Sequence, residues 1–181
     1  FIYKYKKIFI EGLENLKESM PDLNLSVLNQ HLERGLKIVE KTGKEIAKHE
    51  GKNSIASFDK SNSTMYINPQ DVNEETLLHE LSHAITGIIM QKDGKKIYME
   101  TEAIIYYKDT EDLEVYGSGF AEAIADIIAQ KALGDKGIQN GSYQPISEQL
   151  EVMLNLTEIT PTDFVNKGTT RFIQKAKKIG I

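Results

Sequence analysis

Cysteine is absent from the 181 residues. That excludes disulfides, thiolate nucleophiles, cysteine-ligated zinc and iron–sulfur clusters. No apolar run approaches the roughly 18 residues of a membrane-spanning helix. Positive net charge is lacking as well. At -5 and a pI of about 5.5, the surface as a whole does not suit nucleic acid as a partner. There are no internal repeats and no low-complexity linker. Histidine is scarce: there are four, and none follows His83. That last absence later decides which residue types remain to complete a metal site.

What is present fits one folded domain. The length matches a single unit, and 40% apolar with 27% charged residues is lean but far from a disordered composition. We expect residues 1–181 to form one domain. Its N-terminal part, 1–92, carries a sheet and a long helix, and its C-terminal part, 93–181, is helical. The chain opens on Phe1, as a fragment or a matured product would. Its first ten residues are too interrupted by lysine for a signal-peptide core.

Periodicity predicts the elements. A helix is expected over 1–20, with Ile8, Leu13, Leu16 and Met20 inward and Pro21 as its stop. A second is expected over 24–42 from Leu25, Leu28, Leu32, Leu36 and Val39. Residues 54–58 and 64–68 are β-prone and joined by the turn-forming stretch 59–63, which predicts a hairpin ended by Pro69. The clearest helix follows. Asp71 is its expected cap with Glu74 three residues on, its stripe runs from Leu77 to Ile88 and Ile89, and Asp93-Gly94 is its expected end. Residues 95–116 are ambiguous, with a β-prone or helical patch at 104–107. A strong helix is predicted over 119–133, stopped by Gly134. Further helices are predicted over 147–157, 161–166 and 169–179, with Thr160-Pro161 as a cap and first position. Helices, a small sheet, then helices make an α+β class.

The clearest helix reads His79-Glu80-Leu81-Ser82-His83, an H-E-x-x-H pattern. Residues four apart share a helix face, so two imidazoles converge on one point and can share a metal ion. Glu80 lies about 100° round the axis. It flanks the metal without binding it, where a carboxylate can take a proton from a coordinated water.

Catalytic zinc takes three protein ligands and keeps one position open. Position 89, where a third histidine of an extended motif would stand, holds Ile89. With no later histidine and no cysteine, a downstream ligand is a carboxylate. Glu122 and Asp126 stand out because they sit four apart inside the apolar, alanine-rich stretch 119–129. Carboxylates on the inner face of a core helix are costly unless a cation or donors meet them. Glu122 as third ligand and Asp126 as acceptor from a ligand histidine answer that cost. Gly119, Ala121, Ala125 and Ala129 let two helices approach closely. His31 and His49 have no ligand-like partner in the sequence and are given no role.

His79-Glu80-x-x-His83 followed by Glu122-x-x-x-Asp126 resembles the gluzincin class of zinc metallopeptidases. The resemblance implies a zincin-like fold: a small mixed sheet, an active-site helix, a third-ligand helix and a helical C-terminal part. It implies one zinc ion on His79, His83 and Glu122, with Glu80 as general base. It also implies Asp126 orienting His79, as in thermolysin-like members. The segment from Tyr116 through Glu122 is similar to the region around the third ligand in the anthrax lethal factor catalytic domain and the Pro-Pro endopeptidases. There a tyrosine before the glutamate stabilises the transition state, which implies that role for Tyr116. Tyr106, Tyr107, Tyr143 and Arg171 stay open as alternatives.

The expected activity is peptide-bond hydrolysis, with peptide or protein bound extended along a strand edge. That edge is either 54–58 or 64–68. A secreted or cell-surface location is favoured by the resemblance. The other reading is a catalytically degenerate zincin that serves as a binding or regulatory domain. Loss of Glu80 or of a ligand would mark it, and none is lost.

Overall fold

The computed structural model describes residues 2–50, 55–92, 95–100, 103–107, 113–115, 118–136, 143–167 and 169–180. The class is α+β, as expected. The first helix, α1 (Ile2–Ser19), forms as its apolar spacing predicts and buries Ile8 and Leu16, with Met20 buried just beyond its end. The long second helix does not form. It splits into α2 (Ser26–Glu33) and strand β1 (Lys37–Glu40). Gly35, at φ +81°, is the break: its left-handed conformation lets Leu36 N–H bond back to the His31 carbonyl and end the helix. Helix α3 (Gly43–Glu50) follows and contains His49.

The expected hairpin is present as β2 (Ala56–Asp59) and β3 (Thr64–Ile67), paired antiparallel. Asp59 Oδ1 accepts from Ser61 N–H at 2.8 Å, which tightens the turn. β1 adds to β3 in parallel, so among the described residues the sheet order is β1-β3-β2, with β3 in the middle.

Helix α4 (Glu74–Thr86) carries the H-E-x-x-H pattern. Its cap is Asn73 rather than Asp71: the Asn73 side chain accepts from Thr76 N–H at 2.8 Å. Asp71 instead accepts from the Asn68 side chain in the preceding turn. The helix also stops earlier than expected. Gly87 leaves it in an extended conformation, and Ile88 and Ile89 enter β4 (Gly87–Lys92). A glycine followed by two β-branched residues favours that exit. The expected stop at Asp93-Gly94 lies outside the described residues. β4, β5 (Lys95–Glu100), β6 (Ala103–Tyr107) and β7 (Leu113–Val115) form an antiparallel meander in that order, so the described residues of the ambiguous stretch are strand and the part expected to be helical, 93–181, opens instead on three strands.

Helix α5 (Ser118–Leu133) packs against α4 and α1 and ends at Gly134, at φ +61°. Helices α6 (Gln144–Leu156), α7 (Pro161–Lys167) and α8 (Thr169–Ile179) close the chain. α6 starts three residues before its expected first position, with Tyr143 at the cap and Pro145 in its first turn. Leu77, Ile85, Ile124, Ile127, Ile128 and Leu150 are fully buried between these layers. Phe164 and Phe172 meet Phe120 at centroid distances of 6.3 and 5.7 Å, which pins α7 and α8 to the start of α5. Among the described residues no helix is long and apolar enough to cross a membrane.

Candidate metal centre

Two packed helices bring the predicted residues together. α4 turns His79 and His83 to one face, and α5 presents Glu122 opposite them. Alanines make that approach possible: Ala121, Ala125 and Ala129 are buried and carry no bulk to hold the helices apart. Glu122 Oε2 lies 3.1 Å from His79 Nε2 and 3.4 Å from His83 Nε2. The two Nε2 atoms are 3.1 Å apart. The three side chains form a group that could hold a metal ion.

The spacing can be tested against zinc. Bonds of about 2.0–2.2 Å in a tetrahedron set ligand–ligand edges of about 3.3–3.6 Å. Of the three observed edges, 3.1, 3.1 and 3.4 Å, one falls in that range and two lie just below it. The donors are also right in kind, two imidazole nitrogens and one carboxylate oxygen.

Asp126 sits one turn beyond Glu122 and is 2% exposed. Its Oδ1 lies 3.7 Å from His79 Nδ1, the ring nitrogen turned away from the cluster. Its Oδ2 accepts from Ser147 Oγ at 2.8 Å and from Gln130 Nε2 at 3.4 Å. Ser147 carried no sequence signal: a serine 21 residues downstream of Asp126 meets it only because α6 packs on α5.

Charge follows geometry. Burial pushes the Glu122 carboxyl up, but hydrogen bonds from His79 and His83 outweigh it and hold the group well below the usual carboxylate range. Burial pushes the His79 imidazole down, yet Asp126 and then Glu122 win and raise it. Glu75, one turn before His79 on α4, is raised by burial and by the charge of Asp126.

The cluster forms the floor of a cleft of about 370 Å3. Glu80 is in its wall and is 8% exposed. Ala56, Ser57 and Phe58 of β2 line one side, and β3 is central among the described strands of that sheet. Tyr143 lines the cleft too, its ring stacked on His79 with centroids 5.4 Å apart and planes at 11°. Burial, then the charges of Glu122, Glu80 and Asp126, raise its phenol, so it keeps its proton.

The other oxyanion candidates fare differently. Tyr116 lies outside the described residues. Tyr106 and Tyr107 belong to β6, and Arg171 is exposed on α8 and does not line the cleft. His31, given no role from sequence, is buried. Its Nε2–H donates to the Gly87 carbonyl at 2.8 Å, and its Nδ1 is 2.8 Å from Ser63 Oγ. It thus ties the end of α4 to the β2–β3 turn.

Comparison with protein-family models, curated proteins and solved structures finds no match.

Proposed function

We propose that this chain is a zinc-dependent peptidase with a zincin-like fold. The observation that carries the reading is the edge lengths of the His79–His83–Glu122 triangle, close to those of a tetrahedral zinc site. His79, His83 and Glu122 hold the ion, and Asp126 keeps His79 in one tautomer with its Nε2 free to bind. Zinc held by these residues would supply Lewis acidity, polarising a substrate carbonyl and making a nearby water more acidic.

The remaining work falls to the chain. Glu80 borders the cleft and is too far round the α4 axis to join the ligands. It accepts a proton from the attacking water and returns it to the leaving amine. β2 lines the cleft beside the cluster, and an extended peptide lies in the cleft alongside it. Main-chain recognition of this kind binds many sequences and leaves selectivity to side chains such as Glu75 and Tyr143.

The test is a zinc titration beside digestion of a peptide library, with and without chelator. Stoichiometric zinc and chelator-sensitive cleavage are expected. A protein that binds no zinc at micromolar concentration, or one that cleaves equally well with chelator present, would be no zinc peptidase.

A further inference from the structure

Two acids open α4 and meet different surroundings. Glu74 Oε2 accepts from Lys136 Nζ at 2.9 Å, outside the cleft. Glu75 is half-buried and lines the cleft. It makes no hydrogen bond or ion pair with any described residue. The dipole of α4 favours an acid in the first turn, but Glu74 already answers that preference. It gives no reason for a second carboxylate turned into the cleft wall.

The neighbours of Glu75 disfavour its charge. Burial and the charge of Asp126 raise its carboxyl, and His79 works the other way. Lys60 also lines the cleft and is itself engaged. A half-buried carboxylate beside another, with no donor among the described residues, is stabilised by a cation brought in from outside.

Position sets what Glu75 can reach. Residues 75, 79 and 83 repeat at every fourth position, so Glu75 heads the stripe that carries both histidines of the cluster. Four residues of helix advance about 6 Å. Successive residues of an extended peptide are about 3.3 Å apart. A peptide whose carbonyl sits at the cluster therefore carries a side chain one or two residues away past Glu75. Ile55 and Phe58 in the same cleft suit the aliphatic stem of a long side chain.

We propose that Glu75 is the specificity-determining residue of the cleft: its carboxylate takes the ammonium of a lysine or the guanidinium of an arginine one or two residues from the bond that is cut, so the substrates are basic peptides. This rests on the peptidase reading and names the class of peptide that the site prefers.

The experiment compares zinc-loaded wild type with Glu75→Gln and Glu75→Lys. A peptide library first locates the bond that wild type cuts. Peptides are then made in sets that carry lysine, norleucine or glutamate at one position, taken in turn within two residues of that bond. Two readouts are taken: kcat/KM for each peptide, and Kd for phosphinic analogues, which are held without being cut. Wild type is expected to favour lysine over norleucine by about 10–100-fold at one position. Glu75→Gln keeps the shape and removes the charge, so the ratio should fall close to one. Glu75→Lys should favour glutamate at that position. The phosphinic affinities should follow the same order, and the preference of wild type should shrink at high salt. The lysine-to-norleucine ratio of wild type tests the inference even where a variant does not fold. Chelator-sensitive cleavage with no preference for lysine overturns the inference and leaves the peptidase reading standing. So does a preference that Glu75→Gln retains in full. A wild type that neither cleaves peptides nor holds any phosphinic peptide overturns the peptidase reading itself, and this inference falls with it.

Discussion

Asp126 Oδ1 lies 3.7 Å from His79 Nδ1, on the side of the ring that faces away from Glu122. A carboxylate there selects the tautomer with the proton on Nδ1 and leaves the lone pair on Nε2, where the three-residue cluster converges. The carboxylate is itself held by Ser147 and Gln130, so the orientation reaches His79 from two further side chains.

This separates the effects of two acids one helical turn apart. Glu122→Ala should abolish stoichiometric zinc binding, since only two ligands remain. Asp126→Asn should keep the site but weaken it by about 10–100-fold, the usual cost of losing the partner of a ligand histidine. Competition with a chromophoric chelator reads both. Stoichiometric zinc on Glu122→Ala after dialysis would remove Glu122 from the ligand set.

Removing the metal should soften the protein without unfolding it. The core around Leu77, Ile85, Ile124, Ile127, Ile128 and Leu150 is assembled from helix packing and needs no ion to close. A ligand present at about 100 times its Kd adds about 2.7 kcal/mol to stability. A lower Tm with an unchanged far-ultraviolet circular dichroism spectrum is therefore expected on chelation. An apo protein with a coil spectrum would show instead that the metal is part of the fold.

His31 sets a pH dependence outside the cluster. Burial holds its pKa below the ordinary value, against the Gly87 carbonyl, which favours the charged form. Arg34 and Lys60 push it lower still. From about pH 6.5 downward, the unfolded chain takes up this proton while the folded chain resists it. The contribution of neutral His31 is thus full above the unfolded value and declines as pH falls towards the folded one. Urea denaturation of apo wild type and apo His31→Gln at pH 7.5 and pH 5.5 isolates it, because the rest of the chain is the same in both. The gap in stability favouring wild type should narrow at the lower pH. A gap that widens on acidification would mean that His31 is charged in the folded state.

The helices that carry the cluster were legible because their signals are local. Leu77, Leu78, Leu81, Ala84 and Ile85 repeat at helical spacing, and the absence of histidine after His83 left Glu122 and Asp126, carboxylates inside an apolar stretch, needing a reason; Asp126 is indeed buried and Glu122 half-buried. Where elements end was harder. Leu36 and Val39 continue the helical spacing of α2 although they follow its break, and only the left-handed Gly35 separates them. Ile88 and Ile89 likewise extend the stripe of α4 but belong to a strand. A period shared across a glycine does not say on which side of it the helix stops. The pairing of Asp126 with Ser147, the stacking of Tyr143 on His79 and the bond from His31 to Gly87 are contacts between distant segments. No spacing encodes them.

Glu80 carries the sharpest consequence of the arrangement. It shares α4 with both histidines but is turned about 100° from His79, so it borders the cleft without joining the cluster. Its carboxylate and the amide of Gln have the same shape, and only one of them takes a proton. Glu80→Gln should bind zinc with wild-type stoichiometry, melt near the wild-type temperature and lose about 10²–10⁴-fold in peptide hydrolysis, the usual worth of a general base. Loss of zinc binding in this variant would mean that Glu80 is a ligand after all. Full activity with zinc in place would move the proton transfer to another group in the cleft. Glu75, one turn before His79 on the same helix, would be the first to replace, since it lines the same wall.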